Sequence, residues 1–200
     1  MSEITAKLKF TQDTLVRLTG KKVSHKEIKD NYLKLLSHLK HKKTLMIAGS
    51  QGSGKSTLSV LIKKFFLKFY KKNVVILSID DFYLSSFQRK RLARKFNTDL
   101  FKTRGVPGTH NLKLLYKVTN NLMKKKFPVY VPVFDKVTDN IKNYRRKISK
   151  VDLLILEGWC VGSKPIDIKY LKMNINDLEK KNDSNLIWRT AYNSALTDYQ

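Results

Sequence analysis

A chain of 200 residues, 42% of them hydrophobic, is enough for one packed domain and does not require a second. Its 41 Lys and Arg against 16 Asp and Glu give a formal charge of +25. The excess comes as scattered lysine pairs, the pattern of solvated helix faces, and with no RNP segment or zinc-finger spacing nucleic acid is not the expected partner. Cys160 is the single cysteine and excludes an intrachain disulfide framework. No run approaches the ~18 apolar residues of a membrane helix, and residues 1–7 lack a basic-then-apolar leader, so the expectation is a cytoplasmic protein without a membrane partner.

Residues 5–18 carry helical periodicity, and Ser24 three positions before Glu27 has the form of a capping box that opens a second helix through Tyr32, Leu35, Leu36 and Leu39. Residues 1–43 therefore read as a helical leader packed on the same domain as 44–200. The runs 44–48, 74–79 and 151–156 are nearly continuous in aliphatic residues, as buried parallel strands are when helices cover both faces of a sheet. Helical patterns at 56–70, 84–96 and 112–123 fall between them. Alternating elements of this kind predict an α/β three-layer sandwich with a mainly parallel sheet and a helical N-terminal leader.

Between the first strand and its helix stands Gly49-Ser50-Gln51-Gly52-Ser53-Gly54-Lys55-Ser56, followed by Thr57. This is the P-loop spacing G-x-x-x-x-G-K-[ST] in its required strand–turn–helix context, and it predicts a P-loop NTPase-type fold. The glycines let the backbone N–H groups curl toward phosphates at the positive end of the next helix. Lys55 is expected to reach the β- and γ-phosphates of ATP, and Ser56 to give its hydroxyl oxygen to Mg²⁺.

Ligands of open α/β sheets bind beyond the carboxyl ends of the strands, where this sequence puts acids. The second strand runs into Asp80 and Asp81, beside the P-loop if the two strands are neighbours; one acid can accept a hydroxyl proton while the other helps to hold Mg²⁺. Asp81 has an alternative use as the cap of the following helix. Glu157 ends the third strand and can hold the metal or its water. Of its neighbours, Trp159 and Cys160 are expected to pack rather than react. The loop 103–110 gathers Arg104, Thr109 and His110 around Pro107; Arg104 can grip a carboxylate by two parallel bonds, and Thr109 can cap the next helix. Asp135 and Lys136 add an acid and a base at a later strand end or loop.

Taken in order, GSQGSGKST at 49–57, SIDDFYL at 78–84, TRGVPGTH at 103–110, VFDKVTD at 133–139, LEGWCVG at 156–162 and the stretch 176–200 with its WR and YN pairs resemble the P-loop kinases related to D-glycerate 3-kinase. That group also includes phosphoribulokinase, uridine kinase and pantothenate kinase. The resemblance implies Mg-ATP as donor, D-glycerate as acceptor and 3-phosphoglycerate as product. It implies Asp80 as catalytic base, an acceptor pocket lined by Asp81, Tyr83, Arg104, His110, Asp135 and Lys136, and a metal site completed by Glu157 beside Ser56 and Asp80. Asn111 and Ile141 depart from the family pattern, which has Asp and Arg near these positions. Trp188, Tyr192, Ala195 and Tyr199 make one helical face that stops without a cap at Gln200, so the C-terminal part is expected to be incomplete. Three alternatives stay open: a kinase of another acceptor such as a nucleoside or pantothenate, a nucleic-acid-stimulated ATPase, and an inactive nucleotide-binding protein.

Overall fold

Two N-terminal helical segments precede the first strand in the computed structural model, which describes residues 2–96 and 98–199. Helix α1 (Glu3–Thr19) opens with the Ser2 hydroxyl accepting the Thr5 N–H and closes at Gly20, whose φ of 72° lets its N–H return to the Val16 carbonyl. The second segment is α2 (His25–Glu27), begun by Ser24 accepting the Glu27 N–H, then a π-helical turn (Ile28–Leu33), α3 (Lys34–His38) and a 3₁₀ turn (Leu39–His41). The sequence pattern predicts a continuous helix here. The widened turn instead lets Ile28 pack with Leu15 and Leu61 while Leu36 and Leu39 reach a different cluster around Phe65 and Phe66.

The remaining elements follow as β1 (Thr44–Ala48), α4 (Lys55–Tyr70), β2 (Val74–Ser78) with a 3₁₀ turn (Ile79–Phe82), α5 (Ser86–Lys95), a 3₁₀ turn (Asp99–Lys102) and α6 (Leu112–Met123). Short strands β3 (Val129–Val131), β4 (Phe134–Asp135), β5 (Asn140–Ile141) and β6 (Arg146–Ile148) lead to β7 (Leu153–Gly158). The chain then runs through α7 (Ile168–Leu171), α8 (Asp177–Asn182), α9 (Ile187–Ala195) and a 3₁₀ turn (Leu196–Tyr199). Gln200, where the sequence pattern leaves the last helical face uncapped, lies outside the described residues. Among the described residues no helix is long and apolar enough to cross a membrane.

The central sheet is parallel in the order β1-β7-β2, with Ala48 opposite Gly158 and Ser78 opposite Glu157. The condition that would have set Asp80 beside the P-loop strand is therefore not met, because β7 lies between β1 and β2. The middle slot demands apolar side chains on both faces, and Leu153, Leu154 and Ile155 supply them, all buried. One face is covered by α6 through Leu115, Val118 and Leu122, and the other by α3 and α4 through Leu36, Phe65 and Phe66. Helix α1 lies against α4, with the Phe10 ring edge-on to Phe69 at 5.4 Å. β3 pairs with β6 and β4 with β5, both antiparallel, as small additions outside the main sheet.

Two helix starts differ from their predicted caps. Ser85, not Asp81, caps α5, in a reciprocal box in which its hydroxyl accepts the Gln88 N–H at 3.2 Å and Gln88 Oε1 accepts the Ser85 N–H at 3.0 Å. Asn111, not Thr109, caps α6 by accepting the Leu114 N–H at 3.0 Å, and Thr109 donates its hydroxyl to the Val106 carbonyl. Asn is as good an N-cap as Asp, so the departure at Asn111 keeps the local function of an acid there.

Candidate active site

Helix α4 begins after Gly54, at φ 85°, with no side chain capping it, so its first-turn N–H groups stay available to an anion. The loop before it closes on itself: Lys55 Nζ donates to the Ser50 carbonyl at 2.6 Å. At the end of β7, Gly158 permits a close approach, since a Cβ there would stand 2.4 Å from Ile79 Cγ2. The turn carrying Asp80 and the strand carrying Glu157 are thereby packed directly together.

Glu157 is only 7% exposed. Its Oε1 accepts the Ser56 hydroxyl at 2.8 Å and its Oε2 the Ser59 hydroxyl at 3.2 Å, with no cationic side chain paired to it among the described residues. A buried carboxylate whose charge is met only by hydroxyl dipoles is costly unless a cation joins it. Its oxygen donors suit a hard divalent ion such as Mg²⁺. Among the described residues no group of three or more His, Cys, Asp or Glu side chains is placed to hold a metal alone. Mg²⁺ at this point would therefore complete its ligands with phosphate oxygens and water.

Asp80 belongs to a separate hydrogen-bonded group. Lys136 Nζ lies 2.7 Å from its Oδ2, and the Tyr83 hydroxyl donates to its Oδ1 at 3.1 Å. Tyr83 stacks on His110 with ring centroids 4.4 Å apart, and His110 Nδ1 lies 2.6 Å from the Tyr199 hydroxyl, which also accepts the Gly108 N–H at 2.8 Å. His110 Nδ1 and the Tyr199 hydroxyl share one hydrogen bond whose direction follows the ring tautomer. His110 Nε2 is buried without a hydrogen-bond partner among the described residues. Burial pushes the Tyr83 hydroxyl upward, helped by the Asp80 charge, so it stays a donor.

Burial also lowers His110 from its ordinary 6.5 to about 4, against a smaller opposing effect of the Asp80 charge. The unfolded imidazole takes up its proton near pH 6.5 and the folded one only near pH 4. Between these values the unfolded state binds the proton first, so stability falls as pH falls through the window, by on the order of 3 kcal/mol from this group. Chemical denaturation from pH 7 to pH 4 is expected to register the drop, and His110→Gln to flatten it. An unchanged slope in the variant would refute the assignment to His110.

The other acids and bases of the predicted pocket are distributed around this group. Asp81 Oδ1 accepts the Phe134 N–H at 3.4 Å, and burial raises its pKa. Asp135 turns to its own loop, accepting the Val137 N–H at 2.9 Å, an interaction that lowers its pKa, and it makes no bond to Asp80. Arg104 NH1 lies 2.6 Å from Asp139 Oδ1, while the other oxygen of Asp139 is held by Arg89, a fully buried guanidinium that also donates to the Leu84 carbonyl. One carboxylate thus aligns two arginines, and Arg104 keeps donors to spare. Trp159, expected to pack, is 45% exposed and instead donates to the Gly105 carbonyl at 2.8 Å, tying the loop after β7 to the Arg104 loop. Cys160 is buried and its thiol is pushed up to about 12, which leaves it unreactive.

The structure therefore joins Ser56 with Glu157, and Asp80 with Tyr83, Lys136 and His110, as two groups at the carboxyl edge of one sheet. No hydrogen bond links Asp80 to Ser56 or Glu157 among the described residues. Sequence reasoning missed Ser59, Asp139, Arg89 and Tyr199. Ser59 had a readable signal, being one helical turn beyond Ser56, and Asp139 closes the 133–139 motif, but the partners of neither were readable.

The phosphoribulokinase/uridine kinase family model matches residues 44–190. The chain belongs to that family. Similar proteins include the probable ATP-dependent kinase TDA10 of Saccharomyces cerevisiae, 36% identical over 61% of this chain and 47% of that protein. The uncharacterized kinase mug58 of Schizosaccharomyces pombe is 32% identical over 78% and 59%, and the chloroplastic D-glycerate 3-kinase of Arabidopsis thaliana 30% over 66% and 31%. The solved structure of the YGR205w protein superposes with a TM-score of 0.63 at 29% identity, covering 94% of this chain and 64% of that one. The chain spans about half the length of the first two curated family members it matches. The match begins at the first residue of β1, so the family's P-loop, Asp80 and Glu157 segments are inside it and the N-terminal helices are not.

Proposed function

We propose that this chain is an ATP-dependent kinase acting on a hydroxyl of a small acid, with D-glycerate as acceptor and 3-phosphoglycerate as product. The observation that carries the reading is the meeting, at one sheet edge, of an uncapped P-loop helix and the Asp80 carboxylate held by Tyr83 and Lys136. The N–H groups of residues 52–56 and Lys55 would bind and orient the triphosphate. Ser56 and Glu157 would hold Mg²⁺, which when bound offsets the charge of the β- and γ-phosphates. Asp80 accepts the proton of the acceptor hydroxyl as its oxygen bonds to the γ-phosphorus, while the bond to the β-phosphate bridging oxygen breaks and ADP leaves. Lys136, 2.7 Å from that carboxylate, can then balance the charge of the transferred group. No covalent phosphoenzyme is required.

D-glycerate as acceptor is supported by the name of the Arabidopsis relative and by Arg104, aligned by Asp139 with donors left for a carboxylate. A charge-assisted bond of this kind is worth about 1.5–3 kcal/mol. Arg104→Ala is accordingly expected to raise KM for D-glycerate about tenfold or more, leaving KM for ATP unchanged, and Arg104→Lys not to restore it. Steady-state kinetics of the two variants decide this, and an unaltered KM removes Arg104 from the acceptor site. The buried, unpaired Cys160 suits a reducing compartment, and the cytoplasm is the proposed location.

A further inference from the structure

Arg89 is fully buried, and each of its three guanidinium nitrogens donates within the protein. NH1 bonds the Leu84 carbonyl at 2.6 Å, Nε the Lys102 carbonyl at 3.4 Å, and NH2 the Asp139 carbonyl at 3.4 Å as well as Asp139 Oδ2. No surface of it is left for a ligand. Arg104 is the opposite case: its side chain is 35% exposed, and NH1 alone is engaged, by Asp139 Oδ1 at 2.6 Å. The two guanidinium carbons lie 5.8 and 6.0 Å from the centre of the Phe134 ring, so one buried ring backs both.

Charge gives this division its meaning. Asp139 alone would cancel Arg104, and a carboxylate acceptor would meet a neutral pair. Arg89 takes the other oxygen of the same carboxylate, so the three side chains together carry one net positive charge. The ionic groups around them are already matched: Lys136 lies 2.7 Å from Asp80, Lys142 3.9 Å from Asp135 and Lys102 2.7 Å from Asp99. The surplus therefore falls on the exposed donors of Arg104. Burying a guanidinium is costly, and apolar side chains of similar volume commonly hold such segments together as well. What Arg89 adds over an apolar strut is its charge.

We propose that Arg89 is a positioning residue of the acceptor site: by holding and neutralising Asp139 from behind, it leaves Arg104 aligned yet still positive, and so sets the preference for an acceptor that bears a carboxylate. This rests on the reading of Arg104 as an acceptor-binding group and adds a residue that never touches the acceptor.

The experiment is steady-state kinetics at saturating Mg-ATP with D-glycerate and with its uncharged amide, D-glyceramide. Arg89→Gln, whose amide can still donate to the Leu84 carbonyl, is expected to raise KM for D-glycerate about tenfold and to leave KM for D-glyceramide and for ATP unchanged. Adding Asp139→Asn to that variant removes the negative charge that Arg89 no longer offsets, and KM for D-glycerate is expected to fall back toward the wild-type value. A merely structural Arg89 gives the opposite result, since the second substitution takes away another tie. No recovery in the double variant, or an equal rise with the amide, overturns the proposal. Asp139→Asn alone, at a φ of 53° that Asn tolerates, keeps the test open if Arg89→Gln does not fold. It is expected to leave KM for D-glycerate at or below the wild-type value, and a rise overturns the proposal. Arg104→Ala separates the two readings. An unchanged KM for D-glycerate there removes the acceptor assignment and this proposal with it, whereas a raised KM beside an unaltered Arg89→Gln overturns the proposal alone.

Discussion

Lys55→Ala is expected to lower Mg-ATP turnover by about 10²- to 10³-fold, the usual cost of removing one preorganised charge from a transferring phosphoryl group. The side chain stands at the first residue of α4 and, without nucleotide, donates to the Ser50 carbonyl at 2.6 Å. The ammonium is thereby held at the mouth of the loop and need only exchange a carbonyl oxygen for phosphate oxygens. The loss should fall on kcat and on nucleotide affinity together, because the charge meets the γ-phosphate in the ground state and meets it more strongly as charge develops in the transition state. Lys55→Arg should rescue poorly, since a planar guanidinium does not fit a site built for a compact ammonium. Measured ADP release that is unaffected by Lys55→Ala would refute the role.

The second large effect is expected at Asp80. Asp80→Asn keeps the shape of the side chain and a hydrogen bond from Tyr83, yet removes the proton acceptor, so phosphoryl transfer should drop by about 10²- to 10⁴-fold. Nucleotide affinity should hardly change, because Asp80 is bonded to Lys136 and Tyr83 and not to Ser56 or Lys55. That split between transfer and binding distinguishes a base from a phosphate ligand. Full activity in Asp80→Asn would end the assignment.

The P-loop was legible because each of its residues acts through its own backbone or a side chain at fixed spacing, and the flanking strand and helix run almost as read. Strand order was not legible. Nothing in residues 74–78 or 153–158 says that β7 inserts between β1 and β2; that follows from how the chain returns after α6, a non-local choice. Caps were misread for a local reason: Ser85 lies four residues beyond Asp81 and Asn111 two beyond Thr109, each directly before the first residue of its helix. β3 to β6 are two or three residues long, too short to leave a periodicity. The roles of Asp139 and Tyr199 were not legible although both lie in quoted motifs, because their contacts, to Arg89, Arg104 and His110, join segments 35 to 89 residues apart.

The most direct test is ADP formation from Mg-ATP by the purified chain with D-glycerate, uridine, pantothenate or single-stranded DNA supplied in parallel. The account predicts turnover that depends on D-glycerate and yields 3-phosphoglycerate. Turnover driven by DNA, or ATP binding with no acceptor-dependent turnover in any arm, would contradict it.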